Sequence, residues 1–127
     1  MVTLKISGRL PGLNEYTKAC RSNAYAGAGM KKETEDMITW YIVQQLKNVR
    51  FDAPVEVVFR WYEPNKKRDI DNIAFAKKFI LDSLVTSGII RSDGWSGVAK
   101  FTDEFFVDPK NPRIEVDIEF CDRTLPF

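Results

Sequence analysis

The chain has 127 residues, 44% of them apolar and 29% charged, with a formal net charge of +1 and no histidine. This size suits one domain with a core of moderate size, and the composition is that of a globular chain rather than a disordered one. Without histidine, Ser-His and Cys-His nucleophilic catalysis, His-ligated zinc and His general bases are excluded, which leaves carboxylates, Lys, Tyr and metal-activated water for acid–base work.

The near-neutral charge says nothing for or against nucleic acid, because a local basic cluster binds phosphate whatever the total. The two cysteines, Cys20 and Cys121, form no ligand cluster. The expectation is a reduced, cytoplasmic setting rather than a disulfide scaffold. The run Met1 to Ile6 has no signal-peptide apolar block, and no apolar run is long enough to span a membrane.

Val2 to Ser7 alternates apolar and polar residues, which predicts an opening strand with one buried face. Gly8 to Tyr16 carries the turn residues Pro11, Gly12 and Asn14. Lys18 to Met30 is polar and small, with Gly27-Ala28-Gly29, and reads as a flexible loop. Lys18, Arg21, Lys31 and Lys32 then lie on a plain surface loop or, in the functional reading, on a basic arm that orders on a phosphate backbone.

Lys31 to Val49 contains neither Gly nor Pro and has a broad apolar face from Met37 to Leu46, so it reads as a helix. Val55 to Tyr62 alternates again and reads as a strand. A second helix is expected from about Asn72 to Thr86, capped by Asp71 or Asn72 and stopped at Ser87-Gly88. On it Ile73, Ala76, Ile80 and Leu84 form the core stripe, while Asp71, Phe75, Lys78 and Asp82 lie opposite.

Ile89 to Trp95 is a loop, Val98 to Val107 a strand, and Arg113 to Phe120 a closing hairpin strand. The order β-α-β-α-β-β predicts one small α/β (α+β) domain, with a mixed or antiparallel sheet and two helices packed against it. Trp40 and Trp61 are expected in the core, and packing is the simpler expectation for Phe75 and Trp95 as well.

The stretch that carries chemistry is Lys66-Lys67-Arg68-Asp69-Ile70-Asp71-Asn72. In an extended segment i and i+2 share a side, so Asp69 and Asp71 would aim both carboxylates at one spot. Converging anions call for a cation, and hard ions such as Mg²⁺ take one or two carboxylates plus substrate phosphates. Lys66, Lys67 and Arg68 would hold the phosphates, so the stretch reads as a metal-dependent site for a phosphodiester.

The bland readings stand beside this one. Asp71 is an ordinary helix cap, Asp69 balances Arg68, Asp93-Gly94 marks a turn, and Lys78 is a solvated lysine paired with Asp82. In the functional reading the loop bearing Asp93 folds back, three carboxylates bind metal, and Lys78 meets the scissile phosphate or the leaving oxygen.

Arg68-Asp69-Ile70-Asp71-Asn72-Ile73, the helical Leu81-Asp82-Ser83-Leu84 and Gly88-Ile89-Ile90-Arg91-Ser92-Asp93 together resemble the RusA family of phage- and prophage-encoded Holliday junction resolvases. The resemblance covers nearly the whole chain. It implies a homodimeric endonuclease that uses Mg²⁺, with Mn²⁺ as a substitute, to make paired nicks across a four-way DNA junction in the host cytosol. It puts Asp69, Asp71 and Asp93 at the catalytic carboxylate positions and Asn72 at the Asn beside the second one.

The family's lysine, one helical turn after the second aspartate, is replaced here by Phe75. A helix longer by about one turn brings Lys78 or Lys77 to that role, and Lys78 is on the favoured face. Lys66, Lys67, Arg68, Asn72, Arg21, Lys31 and Lys32 are the expected DNA contacts. The main rival is a structure-selective junction-binding protein with weak or no catalysis. A second rival is an Asp-x-Asp transferase acting on a nucleotide-sugar.

Overall fold

The computed structural model describes residues 1–121. Its elements are β1 (Val2–Ser7), α1 (Leu13–Ser22), α2 (Ala26–Gln45), β2 (Val55–Glu63), α3 (Ile70–Ala74), α4 (Lys77–Thr86), β3 (Val98–Val107) and β4 (Arg113–Phe120). All four expected strands form, and the sheet is mixed, with order β1-β4-β2-β3. β4 runs antiparallel to both β1 and β2, whereas β3 is parallel to β2.

The predicted hairpin of β3 and β4 therefore does not form. The two strands follow each other in the chain as a hairpin pair would, but β4 inserts between β1 and β2 and leaves β3 on the edge. A parallel neighbour needs a crossover, and α3 with α4 supplies it between β2 and β3. Everything from Pro64 to Gly97 is thus one connection, held against a sheet on which β2 is central.

One face of the sheet is apolar. Val55, Val57, Phe59 and Trp61 of β2 join Leu4 and Ile6 of β1 and Ile114, Val116 and Ile118 of β4 in the core. Against them lie Ile38 and Ile42 of α2, Ile73 of α3, and Phe79, Ile80 and Leu84 of α4. The whole expected stripe, Ile73, Ala76, Ile80 and Leu84, is buried.

The helices differ from the sequence reading in three ways. First, the stretch 18–30 is not a loop: it holds the end of α1 and the start of α2, with a turn over residues 23–25 between them. Gly27 is where α2 meets α1: a Cβ there would lie 2.4 Å from Cys20 Sγ, so the glycine gives close approach, not flexibility. Second, the face of α2 is narrower than predicted. Thr34, Ile38, Ile42 and Leu46 are buried, but Trp40 is 59% exposed and does not reach the core.

Third, the second predicted helix is two helices. Ala76 N, Lys78 N and Phe79 N bond to the carbonyls of Ile73, Phe75 and Ala76, three residues back. This tighter winding resets the helical phase between α3 and α4. The stop at Gly88 holds as expected, with φ +76° and Ile89 N bonding back to Leu84 O at 2.9 Å.

Candidate active site

β2 ends on Glu63, which continues the buried side of the strand's alternation and is 6% exposed. A carboxylate in that position needs a cation. Arg68 returns to supply it, with Nε and Nη2 on the two Glu63 oxygens at 3.0 and 2.8 Å. Its Nη1 donates to Leu10 O at 3.1 Å.

Arg68 is therefore a staple that closes the segment 63–68 and ties it to the loop after β1. It is not an open phosphate contact as expected, and its anion is Glu63 rather than Asp69. The signal for Glu63 lay in the alternation itself, since Val55, Val57, Phe59 and Trp61 predict the next buried position.

The staple leaves its neighbours unpaired. Lys66, Lys67, Asp69 and Asp71 are exposed. Among the described residues none of the four has a side-chain hydrogen bond or an ion pair; only the backbone N of Lys67 is engaged, by Asn65 Oδ1 at 3.0 Å.

Asp69 stands at the N-cap of α3 with φ −68° and ψ 152°, and its side chain makes no capping bond. Asp71 is already in the first helical turn. The extended geometry expected for Asp69 to Asp71 is thus not found, because the helix begins between them at Ile70. Asn72, an expected DNA contact, is engaged within the protein, where its Oδ1 accepts from Asn14 N at 2.9 Å. A Cβ on Gly12 would sit 2.6 Å from that oxygen, so Gly12 makes room for the clasp between α1 and α3.

The second half of the constellation gathers at the start of α4. Lys78 Nζ lies 2.7 Å from Asp93 and 3.1 Å from Asp82. Lys31 of α2 lies 3.2 Å from Asp82 and also pairs with Glu35. The Asp93 loop does fold back, and its path is tight. Gly97 N and Val98 N both bond to Gly94 O, at 3.0 and 2.9 Å, and a Cβ on Gly97 would fall 1.9 Å from Ser92 O.

Lys78 holds the Asp93 carboxyl below its usual range, with Asp82 adding to the effect. Asp93 and then Asp82 raise the Lys78 ammonium above its usual value. Both groups are charged across the neutral range.

Lys77 faces elsewhere. It pairs with Asp103 of β3 and lies 4.1 Å from the centroid of Phe101, while Trp61 Nε1 donates to Asp103 at 2.9 Å. That lysine is a core-edge contact, which leaves Lys78 on the carboxylate side. Lys31 and Lys32, expected on a basic arm, sit on α2 and pair with Glu35 and Asp36. Lys18 and Arg21 are exposed on α1. Phe75 packs on Tyr16, with ring centroids 5.5 Å apart, while Trp95, expected to pack, is 88% exposed.

Asp69 and Asp71 offer hard oxygen donors without partners among the described residues, the kind of set that Mg²⁺ takes while keeping several waters. Among the described residues no three His, Cys, Asp or Glu side chains lie together as a ready-made cage, and Asp93 is on Lys78. The donor chemistry fits a loosely held divalent cation on two carboxylates. Among the described residues no helix is long and apolar enough to cross a membrane.

A protein-family model for endodeoxyribonuclease RusA matches residues 11–119. That span runs from Gly12 and Asn14 of the Asn72 clasp through both halves of the constellation to Glu119 in β4. No curated protein matches the chain.

Proposed function

The chain belongs to the RusA family of endodeoxyribonucleases, and from that premise we propose that it resolves four-way DNA junctions by metal-dependent paired nicks. The observation that carries the reading is the pair of carboxylates, Asp69 and Asp71, beside the cations Lys66 and Lys67, all four without side-chain partners among the described residues. Anions that folding leaves unneutralised are available to a cation, and cations left beside them are available to a phosphate backbone.

In this reading Asp69 and Asp71 hold the divalent ion, Mg²⁺ or in its place Mn²⁺, and Asp93 completes the set. When bound, the ion stabilises charge developing on the phosphate oxygens and lowers the pKa of an attacking water. Lys66 and Lys67 hold the DNA backbone, joined by Lys18 and Arg21 on α1. Contacts of this kind position the substrate without reading its sequence.

Lys78 begins on Asp93 and Asp82. A phosphate that reaches Lys78 joins the two carboxylates already on it, so its ammonium bears on the phosphate from the side of Asp93. Asp82 keeps one cation throughout, because Lys31 also holds it. Two copies related by a two-fold axis would supply one site for each cut strand.

The test is a nicking assay on a four-way junction beside a linear duplex of the same arms, with Mg²⁺ and with EDTA. Symmetric nicks in the junction alone, abolished by EDTA, are the expected result. The Lys78–Asp93 pair favours one other reading, a junction-binding protein with weak or no catalysis. Tight junction binding without nicks under any metal would establish it instead.

A further inference from the structure

A cavity of about 580 Å³ opens beside Asp69, between the start of α3 and the far end of β3. It is built in two halves. Ile70, Ile73, Phe105 and Val107 make an apolar wall, and Glu63 with Arg68 makes a polar end. The wall is unusual for its position. Ile70 is 60% exposed and Val107 45%, although both sit among charged residues where solvated side chains would do. Contiguous apolar surface rimmed by charge marks a binding site more often than a solvated face.

We propose that this cavity receives one unstacked nucleobase of the DNA substrate, from a nucleotide next to the phosphate that is cut. The proposal rests on the nuclease reading above. Three parts of a nucleotide find three matching surfaces here. The flat face of a base stacks on apolar and aromatic side chains. Its hydrogen-bonding edge meets Asn65 and the Glu63–Arg68 pair, whose mutual bonds hold in fixed place the lone pairs and N–H groups they leave over. The phosphate meets Lys66 at the rim, which among the described residues has no partner.

Asp69 lines the same cavity, so a base lodged there belongs to a nucleotide beside the metal-binding carboxylates. An apolar peptide would leave the polar end unmatched, which favours a base as occupant. Branched DNA makes the base available, because unstacking is least costly where pairing is already interrupted. The cavity is then where any preference for sequence at the cut arises: every base can stack, but its edge must suit Glu63 and Arg68.

The test uses the full chain and four-way junctions carrying 2-aminopurine at successive positions on either side of the exchange point, in EDTA so that nothing is cut. For the wild type, binding should change the fluorescence at one position and leave its neighbours unchanged. Val107→Trp, which fills the cavity from an exposed position, should abolish that change and weaken junction binding by about fivefold or more, the loss of one stacked base. Ile70→Ser, also at an exposed position, removes wall rather than filling space and should weaken the same signal. It keeps the test valid should Val107→Trp fold poorly.

With Mg²⁺, the ratio of nicking rates between junctions that differ only in the flanking base should fall toward one in both variants. An unchanged fluorescence response in both variants, or no responding position in the wild type, overturns the base pocket and leaves the nuclease reading standing. Failure of the wild type to bind junctions at all overturns both.

Discussion

Two charged clusters in this protein look alike in the sequence and behave in opposite ways in the fold. On the open face of the sheet, Arg60 pairs with Asp117 and with Glu115, and Arg113 pairs with Glu115 and Asp108. Each charge there has found another, and Arg113 also lies 3.7 Å from the centroid of Tyr62. At the start of α3, by contrast, Lys66, Lys67, Asp69 and Asp71 stand next to one another in the chain and form no pair at all among the described residues.

The difference is one of backbone geometry. Cross-strand register places side chains of β2 and β4 opposite each other at close range. Along the turn into α3, Arg68 is taken by the buried Glu63, and the remaining charges have no facing element. The first cluster is a structural ladder, and the second is a set of exposed charges without protein partners among the described residues.

The contrast sharpens into a series of substitutions. Asp71→Asn should have the largest effect on activity, lowering junction nicking by more than the about 10–100-fold that loss of an outer-shell partner brings, while junction binding survives. Lys78→Ala should follow at about 100-fold, the scale of losing one group that stabilises charge in the transition state. Rate measurements at saturating junction separate both from binding.

Lys66→Ala with Lys67→Ala should weaken binding of all sequences alike and reduce the slope of log affinity against log salt by about 2. A titration of junction binding from low to physiological salt reads this. Asp117→Asn should have the smallest effect on activity, near none, with a loss of stability of about 1–3 kcal/mol.

The ladder also sets a pH signature. Arg60 holds the Asp117 carboxyl below its ordinary 3.8, and Arg113, helped by Arg60, holds that of Glu115 below 4.5. Carboxyls depressed by folding contribute stability that is fully present above those ordinary values. It is lost as the pH falls through the depressed ones. Denaturant midpoints measured from neutral pH down to acid should therefore fall in the wild type and fall less steeply in Asp117→Asn.

Much of this was legible before the structure. β1, β2 and β4 follow from alternation, and Ile73, Ala76, Ile80 and Leu84 are buried where helical spacing puts them. The Asp93 loop was expected to bring its carboxylate to Asp69 and Asp71; among the described residues it meets Lys78 instead. What the sequence hid were long-range choices.

Alternation does not say which neighbour a strand takes, so β4 read as the partner of β3 instead of lying between β1 and β2. Gly27 looked like a loop residue because its role is the close passage of Cys20 on another helix. Asp69 and Asp71 looked like one extended pair because nothing local marks Ile70 as the first helical residue. Arg68 counted as a DNA cation until Glu63 was seen to be buried beneath it.

The most direct test of the contrast is divalent-ion binding without DNA. Free Mn²⁺ would be followed by electron paramagnetic resonance as wild-type protein, Asp69→Asn/Asp71→Asn and Asp117→Asn are titrated in. Uptake by the wild type and by Asp117→Asn, lost in the Asp69→Asn/Asp71→Asn protein, is the predicted result. Equal uptake by all three proteins would contradict it, because the unpaired carboxylates would then not be the ones that hold the ion.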